Sequence, residues 1–207
     1  MHLIRNQIIR GLPIPKKSTK YVARALSHHN SAVPAVIAIR DMLGLAKTAR
    51  EARNIINRGL IKINGRTVRD YREPIKLFSI FEADKKYRLI YLKTGRFHLE
   101  EFSGSERLSK VINKKTLKNE KIQINLYDGT NFISKEKISV GDSVLLDNEN
   151  KIKEKIPMEK GKKVFIISGR NIGINGKIKN IDGKNAVIIL EDSGKEVELN
   201  KKHIIVL

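Results

Sequence analysis

The sequence lacks cysteine and tryptophan altogether, and aromatic residues make up only 5% of its 207 positions. Without cysteine, disulfide scaffolds, thiolate zinc sites and cysteine nucleophiles are excluded. With so few aromatic rings, stacking on nucleotide bases can contribute little to binding. The most apolar run, Ala32 to Ile39, contains Pro34 and is too short to span a membrane. These absences predict a cytoplasmic protein of a reducing compartment that has no membrane partner.

Acidic residues are absent from the first forty positions, which carry seven lysines or arginines. Over the whole chain, 42 basic residues against 22 acidic residues give a formal net charge of +20. Folding does not require this excess, because self-repulsion destabilises a compact chain. The charge therefore predicts a polyanionic partner, and nucleic acid is favoured over an anionic membrane surface. The alternative is a solvated basic tail. A merely solvated tail would not require the apolar residues Ile8, Ile9 and Leu12 that this segment contains.

Hydrophobic spacing predicts helices over residues 20–27, 33–43 and 49–58, and an extended segment from Arg5 to Lys20, where Pro13 and Pro15 disfavour a helix. From Leu60 onward the period changes to two, which indicates strands. The predicted strands cover residues 60–63, 66–68, 77–81, 87–92, 96–99, 121–126, 132–133, 143–146, 164–168, 176–181, 186–191 and 196–199. Residues 106–112 favour a helical turn, and residues 151–160 are typical of a linker. Short strands at this spacing indicate small β-barrels.

Residues 43–65 carry the most informative local pattern. Thr48 and Glu51 are spaced as a capping box at the start of a helix. Gly59 stands where a left-handed C-terminal cap belongs, and Asn64-Gly65 is a strong hairpin signal. The apolar stripe of the helix consists of Ala49, Ala52, Ile55 and Ile56. Two alanines in this stripe permit close packing on the preceding helix.

Four polar positions remain on the exposed side of this helix: Lys47, Arg50, Arg53 and Arg58. Arg50 and Arg53 are three residues apart, which places their Cβ atoms about 5–6 Å from each other. This spacing resembles the separation of successive phosphates along a nucleic-acid strand. The helix N-terminus beside Thr48 adds free amides and the positive end of the helix dipole. The pattern predicts a phosphate-binding surface, and the alternative is a solvated arginine-rich helix face.

The pattern Thr48-x-x-Glu51-Ala52-x-x-Ile55-Ile56-x-x-Gly59-x-Ile61-x-Ile63-Asn64-Gly65 resembles the S4 RNA-binding module, also called the alpha-L motif. This module is shared by ribosomal proteins, RNA-modifying enzymes and one class of tyrosyl-tRNA synthetases. Further segments are similar to the archaeal and eukaryotic small-subunit ribosomal protein family S4e: His2-Leu3-x-Arg5, residues 16–24, Val68-Arg69-Asp70-Tyr71, residues 121–131 and Gly141-Asp142-Ser143-Val144. Glycines and apolar residues between positions 161 and 178 resemble a KOW motif.

The resemblance implies an α+β, multi-domain fold in four parts. They are a basic N-terminal arm (residues 1–35), a helix-pair plus β-hairpin S4 RNA-binding module with following strands (36–100), a central small β domain (101–157) and a C-terminal SH3-like KOW β-barrel (158–207). The implied function is that of a structural constituent of the small ribosomal subunit. Its partners would be small-subunit ribosomal RNA and neighbouring ribosomal proteins, with no cofactor, metal or small-molecule substrate.

The predicted RNA-binding residues come from the arm, the S4 module and the barrel. They are His2, Arg5, Lys16, Lys17, Lys20, Arg24, Lys47, Thr48, Arg50, Arg53, Arg58, Lys62, Arg66, Lys162, Lys163 and Arg170. With few aromatic residues available, we expect recognition of RNA shape and phosphates rather than of bases.

The sequence lacks the residues that three catalytic interpretations require. A pseudouridine synthase needs an aspartate after Gly-Arg-Leu, and the nearest stretch here is Gly95-Arg96-Phe97-His98. His98-Leu99-Glu100 lacks the cysteine pair of a zinc deaminase. Residues 169–176 lack the Lys-Ser/Thr ending of a P-loop. We therefore expect no enzyme activity. Two alternatives stay open: an S4-module RNA-modification or ribosome-assembly factor, and a KOW-bearing transcription or regulatory factor.

Overall fold

The computed structural model describes residues 2–9, 11–15, 17–117, 121–134, 138–148 and 150–207. Strands dominate the described chain, and its α-helices are few and short. The α+β prediction is confirmed in this coarse sense. The chain divides into two compact units, Met1–Ser105 and Glu106–Leu207.

The first unit combines a short helix pair with small sheets. Its strands are β1 (His2–Ile4), β2 (Tyr21–Ala23), β3 (Ala32–Pro34), β4 (Lys62–Ile63), β5 (Arg66–Thr67), β6 (Pro74–Lys76), β7 (Ile80–Glu82), β8 (Lys86–Tyr91) and β9 (Phe97–Glu101). Its helices are α1 (Ala35–Ile37), continued by a π-helix over Ala38–Met42, and α2 (Ala49–Asn57), and Arg5–Gln7 form a 3-10 turn. The strands pair as β1-β2, as β3-β6 and as the antiparallel five-stranded sheet β5-β4-β7-β8-β9.

The helix pair follows the predicted pattern closely. The first helix is buried through Ile39 and ends at Met42, and Gly44, two residues further on, has a left-handed φ of +67°. Ala52 and Ile56 are the buried face of α2, as the apolar stripe predicts. The helix predicted over residues 49–58 is confirmed, and the one predicted over residues 33–43 is confirmed from Ala35 to Met42, with its last turn of the wider π type. Its predicted start is wrong, because Val33 and Pro34 belong to β3.

The helix predicted over residues 20–27 is wrong. Residues Tyr21–Ala23 form β2 instead, in antiparallel register with β1 so that Val22 lies opposite Leu3. An isolated helix of this length is marginal in water, whereas pairing with a distant strand satisfies the backbone groups and buries Val22. The partner strand lies too far away in sequence for local spacing to reveal it.

The hairpin predicted at Asn64-Gly65 is confirmed by positive φ angles at both residues, +52° and +80°. Asn64 has a second role, because its side-chain oxygen accepts a hydrogen bond from the Ile80 amide at 2.9 Å. The Asn64 amide in turn donates to the Ile80 carbonyl at 2.8 Å. The turn residue therefore fastens the hairpin to β7.

The second unit is made of two antiparallel sheets. Its strands are β10 (Arg107–Thr116), β11 (Ile122–Leu126), β12 (Asn131–Ser134), β13 (Ser143–Leu146), β14 (Ile152–Ile156), β15 (Lys163–Ile166), β16 (Asn175–Asp182), β17 (Asn185–Leu190), β18 (Glu196–Asn200) and β19 (Ile204–Val206). They form five-stranded sheets in the orders β12-β11-β10-β13-β14 and β18-β17-β16-β15-β19. Strict alternation in β17 buries Ala186, Ile188 and Leu190 in the core of the second sheet.

Two local predictions fail in this unit. Residues 106–112 are not a helical turn but belong mostly to β10, which bends at a register shift between Val111 and Asn113. Arg107–Lys110 of β10 pair with β13, whereas Val111 and Asn113–Thr116 pair with β11. Residues 151–160 are not simply a linker, since β14 lies within them and pairs with β13. The partners of β10 lie further along the chain, whereas β14 pairs with β13, the strand immediately before it.

A buried lysine joins the two sheets of the second unit. Lys110 is 5% exposed, and its Nζ donates to the Ile204 carbonyl at 2.7 Å and also to the Lys201 carbonyl. Nearby, the Val206 amide donates to the Ser143 hydroxyl at 3.1 Å. Burial lowers the pKa of the Lys110 ammonium to about 8.

This pKa makes stability depend on pH above neutrality. Between about pH 8 and pH 10.5 the unfolded chain keeps the Lys110 proton that the folded chain has released. The free energy of unfolding should therefore rise with pH in this range, by up to ~1.4 kcal/mol per pH unit from this group. Urea unfolding of the native chain and of Lys110→Met across this range measures it. The difference between the two proteins should grow in favour of the native chain as pH rises, and a constant difference would contradict the prediction.

Candidate nucleic-acid interface

Helix α2 begins at Thr48, whose extended backbone and hydroxyl form the predicted cap. The Thr48 hydroxyl accepts from the Glu51 amide at 3.2 Å. The Glu51 carboxylate reaches back to the Lys47 amide at 2.8 Å, and this bond is the main reason that the pKa of Glu51 is lowered. The capping box therefore forms. It occupies the Lys47 and Glu51 amides, although the sequence predicts free amides at this helix N-terminus for phosphate binding.

The cations predicted on the outer side of α2 are all exposed: Lys47, Arg50, Arg53 and Arg58. Arg50 has no ion-pair partner among the residues that the structure describes. Arg53 lies over the Tyr71 ring, with its guanidinium carbon 4.0 Å from the ring centroid. Such a cation–π contact fixes the plane of an arginine without neutralising its charge. Arg53 is therefore the most firmly oriented cation described on this helix.

Tyr71 brings a second arginine to the same place. Arg72 lies 5.4 Å from the Tyr71 ring centroid and forms an ion pair with Asp70 at 3.2 Å. The hydrogen bond from the Arg72 side chain lowers the pKa of the Asp70 carboxyl. Tyr71 and Arg72 are absent from the predicted site residues. Tyr71 belongs to a segment that resembles the S4e family, but spacing along the sequence does not reveal its contact with Arg53 of α2.

The hairpin contributes two further exposed cations, Lys62 and Arg66. Arg66 forms an ion pair with Glu73, whose carboxylate also accepts from the Arg69 amide at 3.2 Å. We call Lys47, Arg50, Arg53, Arg58, Lys62 and Arg66 the helix–hairpin cations. Within this group, Arg66 is partly neutralised by its partner, so its capacity to bind phosphate is reduced.

The N-terminal arm uses its first predicted cation internally. The Arg5 side chain donates to the Thr19 carbonyl at 2.6 Å, to the Thr19 hydroxyl at 3.2 Å and to the Pro15 carbonyl. Lys17 and Lys20 are exposed, and Lys20 Nζ lies 5.4 Å from the Tyr21 ring centroid. The arm therefore presents lysines at its surface, while Arg5 closes the loop between residues 5 and 19.

The other predicted arm residues give less information. Arg24 is half-buried. Lys16 lies outside the described residues, and for His2 the structure describes the backbone alone, as part of β1.

The predicted residues of the second unit lie around β15. Lys162 and Arg170 are exposed, and Lys163 has its Nζ 3.8 Å from the Glu191 carboxylate. Exposed ion pairs of this kind contribute little to stability and exchange readily for other anions. These residues form a smaller basic group than the helix–hairpin cations.

Within the described ranges, no group of three or more His, Cys, Asp or Glu side chains is arranged to hold a metal ion. No helix in the same part of the chain is long and apolar enough to cross a membrane.

Two family models match successive parts of the chain. The S4 domain model matches residues 41–79, which include α2 and the hairpin, and the model of ribosomal family S4e matches residues 83–153. The small ribosomal subunit protein eS4 of Archaeoglobus fulgidus is 33% identical over 86% of this chain and 79% of its own length. The chain belongs to the ribosomal S4e family.

A second relative and a solved structure support the same family. The eS4 protein of Methanothermobacter thermautotrophicus is 34% identical over 100% of this chain and 91% of its own length. The crystal structure of the 30S ribosomal protein S4e from Thermoplasma acidophilum matches with a TM-score of 0.73 at 30% identity, covering 86% of this chain and 95% of that chain. The S4 and S4e resemblances are thereby confirmed, whereas the KOW motif at residues 161–178 stays a prediction.

Proposed function

We propose that this S4e chain is a structural protein of the small ribosomal subunit, which binds ribosomal RNA directly and supports translation in the cytoplasm. The observation that carries the proposal is its membership of a ribosomal family, with the helix–hairpin cations exposed inside the S4 match. The proposal assigns no chemical reaction, cofactor or small-molecule substrate to the chain. Its partners are small-subunit ribosomal RNA and the neighbouring ribosomal proteins.

The parts of the chain have different tasks in this proposal. Residues 1–35 are a basic arm, and residues 36–100 are the S4 RNA-binding module with its following strands. Residues 101–157 are a central β domain, and residues 158–207 are an SH3-like KOW barrel. The helix pair, the hairpin and the two five-stranded sheets of the second unit support this division.

The binding mechanism is electrostatic and geometric. Arg50, Arg53 and Arg58 neutralise phosphates along one RNA backbone segment and release the counterions condensed there. Tyr71 holds the Arg53 guanidinium in a fixed plane before RNA arrives, which reduces the side-chain entropy lost on binding. Lys17 and Lys20 extend the contact along the arm. The residues around β15 provide a second, weaker anchor: Lys162, Lys163 and Arg170.

Sedimentation of a lysate through a density gradient, after a high-salt wash, tests the proposal. We expect the protein in the small-subunit fractions, stoichiometric with the subunit and resistant to the wash. A structural component retains many simultaneous contacts, so moderate weakening of each phosphate contact does not release it. Loss of the protein at high salt, or its presence only in immature particles or in polymerase fractions, would contradict the proposal and favour a transient factor.

A further inference from the structure

A groove of about 550 Å³ lies in the first unit, between the N-terminal arm and the turn that joins β8 to β9. Its apolar wall includes Ile8, Ile9 and Ile14 from the arm. The opposite wall includes Thr94 and Arg96 from the turn. None of the lining residues is one of the helix–hairpin cations, so the groove is separate from that group.

The N-terminal arm packs closely against the β8–β9 turn. The Phe97 amide donates to the Gly11 carbonyl at 2.8 Å. A Cβ atom at Gly11 would lie 3.2 Å from both the Gly95 carbonyl oxygen and the Phe97 ring, so glycine permits this close approach. The Arg5 bonds to Thr19 and Pro15 close the arm from the other side. The groove is therefore built by specific contacts of the folded unit.

The charge of the groove is positive. Arg5 and Arg96 line it, and no carboxylate is among its described lining residues. Arg96 is exposed and has no ion-pair partner in the part of the chain that the structure describes. Arg5 uses three N–H groups within the arm, so it contributes a fixed guanidinium plane. An occupant that fits presents apolar surface to the isoleucines and an anionic group to Arg96.

We propose that this groove binds one unpaired nucleotide of the ribosomal RNA. The base lies against the isoleucines and the plane of Arg5, and the phosphate meets Arg96. Proteins read RNA mainly at unstacked nucleotides, and they stack such bases on arginine planes as well as on aromatic rings. Pockets of roughly 300–1,000 Å³ suit ligands of this size. The inference rests on the proposed function and adds a site of base recognition to a mechanism otherwise confined to phosphates.

Chemical probing of small-subunit ribosomal RNA bound to the full chain tests the site. Thr94→Trp fills the groove without changing charge, and Arg96→Ala removes the phosphate partner. Thr116→Trp and Lys184→Ala are the matched controls, at exposed positions in the second unit. The native chain should protect one unpaired nucleotide from base methylation about tenfold, the range expected for loss of one stacked base. Both groove variants should return that nucleotide to its reactivity in free RNA, while both controls protect it like the native chain.

The outcomes separate this inference from the function itself. If the groove variants bind the RNA and keep every protection, the groove does not hold a nucleotide. Loss of the protection by the controls as well would also contradict the site. Occupation of the groove by free mononucleotides as tightly as by the RNA would overturn its assignment to ribosomal RNA and favour a soluble nucleotide. If the native chain protects no part of the RNA, the proposed function fails first. Circular dichroism verifies the fold of Thr94→Trp. Arg96→Ala tests the same groove with a substitution that adds no side-chain volume.

Discussion

Replacing Arg50, Arg53 and Arg58 together by alanine should lower the affinity of the chain for small-subunit ribosomal RNA about a hundredfold at ~0.1 M salt. Each of these arginines is exposed and belongs to the S4 match, so each is available to neutralise a phosphate. The fold should survive, because none of the three side chains is buried. The Arg53 contact with Tyr71 is worth only about 0.5–1 kcal/mol at an exposed site.

The salt dependence of binding identifies the cause. A plot of log affinity against log salt concentration should become less steep by roughly 0.7–0.9 for each phosphate contact that is lost. Filter binding or fluorescence anisotropy over about 0.05–0.3 M salt gives the slope. An unchanged slope in a folded triple variant would remove this surface from the RNA interface.

A matched control separates site-specific contacts from net charge. The triple variant Lys184→Ala, Lys195→Ala and Lys202→Ala removes the same charge from exposed positions of the second unit that are not predicted to contact RNA. It should keep the native slope. Lysines in place of Arg50, Arg53 and Arg58 should also keep the slope, because charge determines counterion release. They should still lose affinity, since lysine lacks the planar fork that binds phosphate through two hydrogen bonds.

Replacing Arg107 by methionine should lower the free energy of unfolding by about 3–5 kcal/mol. The side chain of Arg107 is 3% exposed and lies 3.0 Å from the equally buried Asp128 carboxylate. It also donates to the Thr130 hydroxyl at 3.1 Å and to the Asn150 side chain, so it joins β10 to two neighbouring turns. Burial lowers the pKa of the Arg107 guanidinium, and Asp128 opposes this shift. Without Arg107, Asp128 remains as an uncompensated buried charge.

Two further variants distinguish the loss of a buried ion pair from the loss of an exposed one. Asp128→Asn in the Arg107→Met background should restore part of the lost stability, because it removes the unpaired charge. Lys153→Met breaks the exposed ion pair of Lys153 with Glu106, the residue next to Arg107, and should cost below about 1 kcal/mol. Urea unfolding of all four proteins measures these differences. Equal losses for the buried and the exposed pair would contradict the argument.

Local signals explain why the helix–hairpin segment was predictable. The cap at Thr48, the turn at Gly59 and the hairpin at Asn64-Gly65 each depend on residues within a few positions of one another. Their backbone preferences operate before any tertiary contact forms. Exposure of Arg50 and Arg53 follows from the same periodicity, because the alanines and isoleucines already occupy the buried face.

The wrong helix predictions concern segments whose structure depends on contacts between distant residues. Residues 20–27 and 106–112 carry spacing that suits a short helix, but each segment finds a strand partner far away in sequence. The internal role of Arg5 depends on Thr19, and the orientation of Arg53 depends on Tyr71. No periodicity links these pairs. Interactions of long sequence separation outweigh helix propensity, which amounts to fractions of a kcal/mol per residue.

The sequence by itself determined the basic character of this protein, its S4e family and the helix and hairpin that carry the exposed arginines. Composition and local geometry are properties of neighbouring residues, so they can be read without coordinates. Tertiary structure alone decided which cations remain available, because Arg5, Arg66 and Arg107 each have partners inside the fold. It also decided that the arm and the β8–β9 turn enclose a groove, since a concave surface exists only when distant segments pack together.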